Sequence, residues 1–379
     1  ELINNDEMKR LFILLIIFPL NFISSGKIKK PPKIGSVHPL QDSYKLIWQD
    51  EFKGEKLDRS KWTPVDDSVI GKYGHGNGEA QAYLDAEGDT FFVRNGILHL
   101  RAHYSPNVKY PLRDAPNGKI KKMIEHQDFK SAKLTTKNLH AFTYGILEAR
   151  IKNPSDNTSK QTAIPVWPAF WLMPEDKTAP YSGYWDKNSF RLKHEWAKST
   201  WPYSGEIDIM EMSGRATRLY HAGAVYHKSH EKWTTGNIGW YSHYRRYDGI
   251  INPKQWIADQ KLDSSLQAKN GQKSYASNYH VYGCKWTKDK IIFMIDGKEW
   301  GPGLNLRDKS KFGGKKMYQE YPFHLILNLA VGGNYFGVWG PNDPGPDKKN
   351  KNELYDFSLF PQTMQIDWVR VYKKNNSNQ

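Results

Sequence analysis

Short apolar runs that alternate with polar residues recur along most of the chain, and turn residues separate them. A period of two is typical of strands with one buried face. These runs predict strands at residues 97–103, 145–152, 222–227, 280–286, 291–295, 324–331 and 364–372. Asp296-Gly297 lies between residues 291–295 and Lys298-Glu299-Trp300 and predicts a hairpin turn, because glycine accepts the positive φ required there. Helix-forming stretches are scarce, so the pattern predicts an all-β sandwich or barrel.

The same pattern predicts one folded domain at residues 44–374 and a tail at residues 375–379 of the 379-residue chain. Residues 26–43 are rich in lysine and proline and are interpreted as a linker. Two polar, aromatic-rich stretches, residues 176–200 and 228–278, are predicted to be long loops. Loops of that length on a compact scaffold usually have a role, such as shaping a binding cleft.

Residues 1–25 are interpreted as upstream residues followed by a secretory signal. Met8-Lys9-Arg10 supplies a basic start, residues 11–20 are apolar, and small residues follow at 24–26. The apolar run is short for a membrane span, and an uncleaved anchor helix is the alternative. The pattern therefore predicts a secreted or extracellular protein, or a periplasmic one, without stable membrane insertion.

Composition narrows the function classes. The formal net charge is +15, but part of it lies in the signal, the linker and the tail. No arginine-rich helix or zinc-ligand spacing accompanies the charge, so we predict no nucleic-acid partner and keep an acidic substrate as the alternative. Aromatic residues make up 14% of the chain, more than a core needs, and sugars offer flat apolar faces to such rings. The single cysteine, Cys284, excludes an intramolecular disulfide and is predicted to be a buried thiol.

A row of carboxylates carries the densest chemical signal. Glu206 and Asp208 are two apart in a stretch with strand character and therefore share a face, whereas Glu211 has the opposite parity. A one-residue β-bulge would return Glu211 to the face of the other two. Adjacent like charges repel, so at least one group should hold its proton near neutral pH. A salt-bridge network is the structural alternative, but no basic residue lies within the segment. Glycosidic cleavage needs one ionised and one protonated carboxyl, and a separation of roughly 5–5.5 Å implies retention.

The segment Glu206-Ile207-Asp208-Ile209-Met210-Glu211 resembles the bulged signature of the family 16 glycoside hydrolases, most of all the laminarinase-type β-1,3-glucanases. The resemblance extends over almost the whole domain. Its further blocks are Trp48–Phe52, residues 76–83, residues 144–150, Trp167–Pro174, residues 328–333 and residues 366–372. It implies a β-jelly-roll of two antiparallel sheets with a concave substrate cleft. By the family pattern, Glu206 is the nucleophile, Glu211 the general acid/base, and Asp208 tunes the pair.

The resemblance also suggests substrate contacts. We expect Trp171 and Trp201 to be stacking platforms, with core packing as the alternative for Trp171 and, more strongly, for Trp167. A Gly-rich loop would bring the amide of Asn77 to sugar hydroxyls. Arg150 is expected to line the cleft or, equally, to form a surface ion pair. His227 matches a family position near the substrate, and a structural role is the alternative.

A structural calcium ion is also implied by the resemblance, with Glu51, the carbonyl of Gly96 and Asp367 as ligands. Hard oxygen donors from distant segments suit calcium. No cofactor or metal is expected for catalysis.

The leading prediction is a monomeric endo-acting β-1,3-glucanase whose partner is its polysaccharide substrate. Mixed-linkage glucan or a galactan such as agarose or carrageenan is the alternative substrate. A glucan-binding protein without turnover and a transglycosylase are the alternative activities.

Overall fold

The computed structural model describes residues 32–70, 79–106, 110–113, 120–124, 128–154, 166–175, 206–213, 216–227, 235–241, 246–248, 279–307, 322–332 and 357–375. The chain splits into two compact units after Lys33, and every strand in the described residues belongs to the unit of residues 34–379. The predicted signal lies outside the described residues, as does most of the tail. In the described part, no helix is both long and apolar enough to cross a membrane.

Strands dominate the described residues, with one α-helical turn at Asp67–Ile70 and one 3-10 turn at Phe357–Leu359. In chain order the strands are β1 (Val37–His38), β2 (Gln41–Asp50), β3 (Thr63–Pro64), β4 (Gln81–Tyr83), β5 (Phe91–Arg94), β6 (Ile97–Tyr104), β7 (Tyr110–Arg113), β8 (Ile120–Ile124), β9 (Phe129–Ser131), β10 (Lys133–Thr135), β11 (Ala141–Phe142), β12 (Gly145–Lys152), β13 (Val166–Pro174), β14 (Glu206–Ser213), β15 (Ala216–His227), β16 (Thr235–Tyr241), β17 (Arg246–Asp248), β18 (His280–Trp286), β19 (Lys290–Ile295), β20 (Lys298–Asn305), β21 (Phe323–Val331) and β22 (Gln362–Lys374).

These strands form two large sheets in the described part of the chain. Sheet 1 has the order β20-β19-β18-β12-β22-β6-β9-β4, with β2 beside β22, β1 beside β2 and β5 beside β6. Sheet 2 has the order β17-β16-β15-β14-β13-β21-β10-β3, with β11 beside β21. Strands β7 and β8 form a separate ribbon. The pairs are antiparallel apart from β4 with β9, and the architecture is the predicted two-sheet β-jelly-roll.

The core lies between the two sheets. In β12, Ala149 and Ile151 are fully buried, whereas Arg150 and Lys152 on the other face are partly exposed. All nine residues of β21 are buried, as expected for a strand in the middle of a sheet. Cys284 is fully buried in the same core, and burial raises the pKa of its thiol, which confirms the predicted buried cysteine.

The predicted strands and hairpin are confirmed. Strands β12 and β18 have the predicted bounds, and the other predicted strands are found with ends shifted by one to six residues. Asp296 and Gly297 both have positive φ, 51° and 75°, as a two-residue hairpin between β19 and β20 requires.

Two segments differ from the prediction. Strand β1 and the start of β2 lie inside residues 26–43, so the domain begins by Val37 rather than at Tyr44. His38 is buried on sheet 1, which a lysine- and proline-rich composition does not reveal. Residues 228–278, predicted to be a loop, contain β16 and β17, which extend sheet 2 beyond β15. Residues 176–200 lie outside the described residues.

Candidate active site

The three predicted carboxylates lie on β14, which runs between β13 and β15 in sheet 2. Ile207 and Ile209 are fully buried and belong to the core. Asp208 and Glu211 are 4% and 6% exposed, and Glu206 is more accessible than either. We call the side of sheet 2 that carries these three groups the carboxylate face.

The predicted β-bulge is present and brings Glu211 to this face. Against β15, Asp208 is opposite Gly223 and Glu211 is opposite His221, so three steps along β14 match two along β15. The pairing with β13 shifts at the same place. One extra residue in a strand reverses the parity of the residues after it. The bulge therefore places three carboxyl groups on one face, which strict alternation would not do.

Burial and mutual repulsion favour the protonated forms of two of the three groups. The pKa of Asp208 is raised well above its usual value by burial, then by the charges of Glu206 and Glu211 and a hydrogen bond with Glu206. Burial and the charge of Glu206 raise the pKa of Glu211 to about 8. Glu211 therefore keeps a proton at neutral pH, as a general acid must.

The two oxygens of Glu211 have different surroundings. Oε1 accepts a hydrogen bond of 2.9 Å from the indole Nε1 of Trp167, and this bond lowers the pKa of Glu211 against the larger effect of burial. Oε2 is buried and has no hydrogen-bond partner among the described residues. The sequence predicted Trp167 as a substrate contact or core residue and did not predict this bond.

Trp171 lies on the same face of β13 as Trp167, opposite Asp208. Its Nε1 donates to Asn328 Oδ1 at 2.7 Å, and Asn328 Nδ2 donates to the hydroxyl of Tyr83 at 3.1 Å. The ammonium of Lys133 lies 4.9 Å from the centroid of the Trp171 ring. Both Trp rings remain partly exposed, so the structure is compatible with the expected stacking roles.

Sequence reasoning missed three members of this group: Tyr83, Lys133 and Asn328. Tyr83 and Asn328 lie within blocks that carry the family resemblance, residues 76–83 and 328–333. The sheet face on which these residues lie could have identified them. In β21, for example, every second residue faces the core and the residues between them lie on the carboxylate face.

Arg150 does not line the carboxylate face, which corrects one of the two expectations for it. It lies on β12 in sheet 1, on the face turned away from the core, and it forms an ion pair with Asp367. Its guanidinium carbon is 4.5 Å from the ring centroid of Tyr279. Arg150 shares a strand face with Glu148, as predicted, but the whole strand belongs to sheet 1, whereas the three carboxylates lie on sheet 2.

Three predicted substrate contacts involve side chains outside those that the structure describes. Asn77 and Trp201 lie outside the described residues. His227 is the last residue of β15, in which Val225 is opposite Glu206, and its side chain is not described.

The residues predicted to bind calcium meet in sheet 1. Strand β22 pairs with β6 up to Ile366 and with β2 from Val369 onwards, so Asp367 lies at the junction. Glu51 directly follows β2, and Gly96 directly precedes β6. Strand register thus places the three residues around the junction of β2, β6 and β22, and oxygen donors are of the type that calcium prefers.

Both carboxylates at this junction have arginine partners. Glu51 accepts hydrogen bonds of 2.8 and 3.1 Å from Arg370, and Asp367 accepts one from Arg150. Among the described residues, no cluster of three or more His, Cys, Asp or Glu side chains is arranged to hold a metal. Calcium at the junction stays a prediction.

Comparison with known proteins agrees with this geometry. A family model described as "Glycosyl hydrolases family 16" matches residues 101–370, which include all three carboxylates. Glucan endo-1,3-beta-glucosidase A1 of Niallia circulans is 30% identical over 335 residues, 87% of this chain and 38% of that protein. The chain thus spans well under half of that relative. A beta-glucanase of Rhodothermus marinus is 26% identical over 365 residues, 96% of this chain and 93% of that protein.

Among solved structures, the catalytic domain of an endo-1,3-beta-glucanase (laminarinase) from Thermotoga petrophila RKU-1 superposes with a TM-score of 0.54. It is 26% identical, and the match covers 88% of this chain and 99% of that domain. The shared architecture extends over both sheets.

Proposed function

The chain belongs to glycosyl hydrolases family 16, and from this premise we propose that it is an endo-acting β-1,3-glucanase that hydrolyses laminarin-like glucan with retention. One observation carries the proposal: the bulge in β14 places Glu206, Asp208 and Glu211 on one face, where burial raises the pKa of Glu211 to about 8 and favours its protonated form. A retaining glycosidase needs this combination of a nucleophile and a protonated acid.

The reaction assigns one role to each carboxyl group. Glu206 attacks the anomeric carbon while Glu211 gives its proton to the departing glycosidic oxygen, which leaves a glycosyl–Glu206 ester. Glu211, now a carboxylate, takes a proton from water as the water attacks the same carbon and releases Glu206. Burial favours the protonated form of Asp208, and its hydrogen bond with Glu206 orients the nucleophile without a second negative charge beside it.

The substrate class rests on the relatives and on the aromatic side chains. The three proteins compared above carry names of β-glucan-degrading enzymes. Trp167 and Trp171 present partly exposed rings on the carboxylate face beside the acid and the nucleophile region. Flat rings of this kind stack on the apolar faces of sugars, which supports a polysaccharide lying across sheet 2.

We further propose that the protein is exported and acts as a monomer, with calcium in a structural role. Export rests on the signal-like residues 8–26. Glu51, the carbonyl of Gly96 and Asp367 would hold the ion, which would tie three strands of sheet 1 together.

The test is the release of reducing ends from laminarin, mixed-linkage glucan, agarose and κ-carrageenan. We expect release from laminarin and a loss of roughly three orders of magnitude or more in Glu206→Gln. Arg150→Gln is the matched control and should keep the wild-type rate, because its ion pair lies on the other sheet and exposed pairs contribute little. NMR of the first product should detect the β-anomer.

Two other outcomes would change the proposed substrate or the proposed activity. Release from a galactan alone would overturn the substrate and keep the carboxylate roles. Binding of glucan without release from any substrate would replace the hydrolase by a glucan-binding protein.

A further inference from the structure

Trp167 and Glu211 are diagonal neighbours across β13 and β14. Ala169 is directly opposite Glu211, and Trp167 lies two residues before Ala169 on the same face. Diagonal neighbours in a sheet are within reach of large aromatic side chains. Ala169 and Ala330, the residue opposite Trp167 on β21, carry only methyl groups. These small residues leave room for the indole to reach the carboxyl group, where Nε1 lies 2.9 Å from Oε1.

The hydrogen bond makes the two oxygens of Glu211 inequivalent. An indole N–H can only donate, so Oε1 must accept and cannot also direct a proton at Trp167. The proton of the neutral acid therefore belongs on Oε2. That oxygen is buried and has no partner among the described residues. Burying an oxygen without a hydrogen-bond partner costs free energy, and at a functional site it indicates an atom whose partner is supplied by the substrate.

We infer that Trp167 is a positioning residue that fixes Oε2 of Glu211 as the atom that transfers the proton in both steps of the reaction. The inference rests on the proposed function. In the first step Oε2 gives its proton to the glycosidic oxygen as the bond to the anomeric carbon breaks. In the second step Oε2 receives a proton from water as the water oxygen bonds to that carbon and the ester to Glu206 breaks. Through both steps the indole N–H stays on Oε1 and stabilises the intervening carboxylate.

This role differs measurably from sugar stacking. A stacking ring contributes to binding of every substrate alike. A residue that acts through the general acid matters most when the leaving group needs a proton and least when the leaving group departs as a stable anion. The dependence of the rate on leaving-group acidity therefore separates the two roles.

The experiment compares Trp167→Phe with Trp171→Phe on aryl β-laminaribiosides whose phenols span a wide range of acidity. Both changes replace an indole by a phenyl ring on the same strand face, but only Trp167 contacts Glu211. We expect Trp167→Phe to lower kcat/KM roughly 10- to 100-fold for the least acidic phenols and only slightly for dinitrophenol. Trp171→Phe should lower kcat/KM by a similar factor across the whole series.

The pH profile gives a second readout. Loss of the N–H removes an interaction that lowers the pKa of Glu211, so the alkaline limb of kcat/KM should move to higher pH in Trp167→Phe. Trp171→Phe should leave that limb in place. A loss that is uniform across the phenols, with an unmoved limb, would overturn the inference.

A double variant guards against a purely structural effect. In the Glu211→Gln background no carboxyl proton remains, so adding Trp167→Phe should change kcat/KM by less than about twofold on an aryl substrate of intermediate acidity, for which Trp167→Phe alone causes a clear loss. A further loss as large as in the wild type would contradict the inference. If Trp167→Phe does not fold, Trp167→Leu carries the same expectations. Wild-type turnover by Glu206→Gln on these substrates would instead refute the proposed function itself.

Discussion

At the scale of single residues, the buried carboxyl group of Glu211 makes the stability of the folded protein depend on pH. Glu211 is almost fully buried beside Glu206 and Asp208, and the pKa of its carboxyl is raised to about 8 from 4.5. Since the unfolded chain releases this proton more readily than the folded one, stability falls as the pH rises from about 4.5 to about 8. Below that window both states hold the proton, and above it the penalty is constant.

Glu211→Gln should therefore stabilise the protein at alkaline pH while abolishing laminarin hydrolysis. The amide has a similar shape and carries no charge, and its oxygen can still accept the bond from Trp167. We expect a gain of about 1–3 kcal/mol at pH 8, which corresponds to a melting temperature higher by roughly 1–4 °C. Differential scanning calorimetry from pH 4 to pH 9 measures it, and the two proteins should converge near pH 4.5. A constant difference across this range would contradict the raised pKa of Glu211.

Strand parity was enough to predict the carboxylate row but not its neighbours. Alternation along one strand depends only on local sequence. The sequence therefore predicted that Glu206 and Asp208 share a face and that Glu211 needs a bulge to join them. The bond from Trp167 to Glu211 joins residues 44 apart. It depends on which strands are adjacent and in which register, and the sequence of either strand alone carries no such information.

At the scale of elements, β1 is a short strand of sheet 1 that contributes His38 to a buried polar contact. His38 Nε2 lies 3.2 Å from Glu148 Oε1, and both residues are buried. Leu40 N donates to His38 Nδ1, so the other ring nitrogen carries the hydrogen that Glu148 accepts. A side chain on Gly283, opposite Glu148, would meet it at 2.9 Å, so only glycine leaves room for this carboxyl group.

His38→Ala should destabilise the protein without affecting catalysis. Removing the ring leaves Glu148 buried without this partner, which costs about 1–3 kcal/mol. Urea unfolding should detect this cost as a lower midpoint, while kcat and KM stay at wild-type values because β1 belongs to the other sheet. His38→Gln, which retains a donor, should recover part of the loss. An unchanged midpoint in His38→Ala would mean that β1 contributes nothing to the stability of sheet 1.

The sequence predicted long strands better than short ones. Strands β12 and β18 were predicted to the residue, whereas β1 is only two residues long and lies in a segment rich in lysine and proline. Strands β16 and β17 were missed because polar and aromatic residues fill residues 228–278. Arg150 shows a further limit: parity gives the face of a strand but not the sheet to which the strand belongs.

The whole molecule folds without a disulfide, because Cys284 is its single cysteine. Its described residues instead form one large core between the sheets, and long-range pairings join the chain ends: β22 pairs with β2, β6 and β12. The junction of β2, β6 and β22 is where the predicted calcium ion would add most, since it would connect strands that are far apart in the chain.

Chelation tests that ion. A metal that binds only the folded protein stabilises it by about 2.7 kcal/mol at one hundred times its dissociation constant. We therefore expect EDTA to lower the melting temperature by ~4 °C and added calcium to restore it. Asp367→Asn weakens the site and should make the melting temperature insensitive to EDTA. Laminarin hydrolysis well below the transition should be the same with and without EDTA, since the junction lies in sheet 1 and the carboxylates lie in sheet 2. A wild-type transition that EDTA leaves unchanged would mean that Arg370 with Glu51 and Arg150 with Asp367 close this junction without a metal.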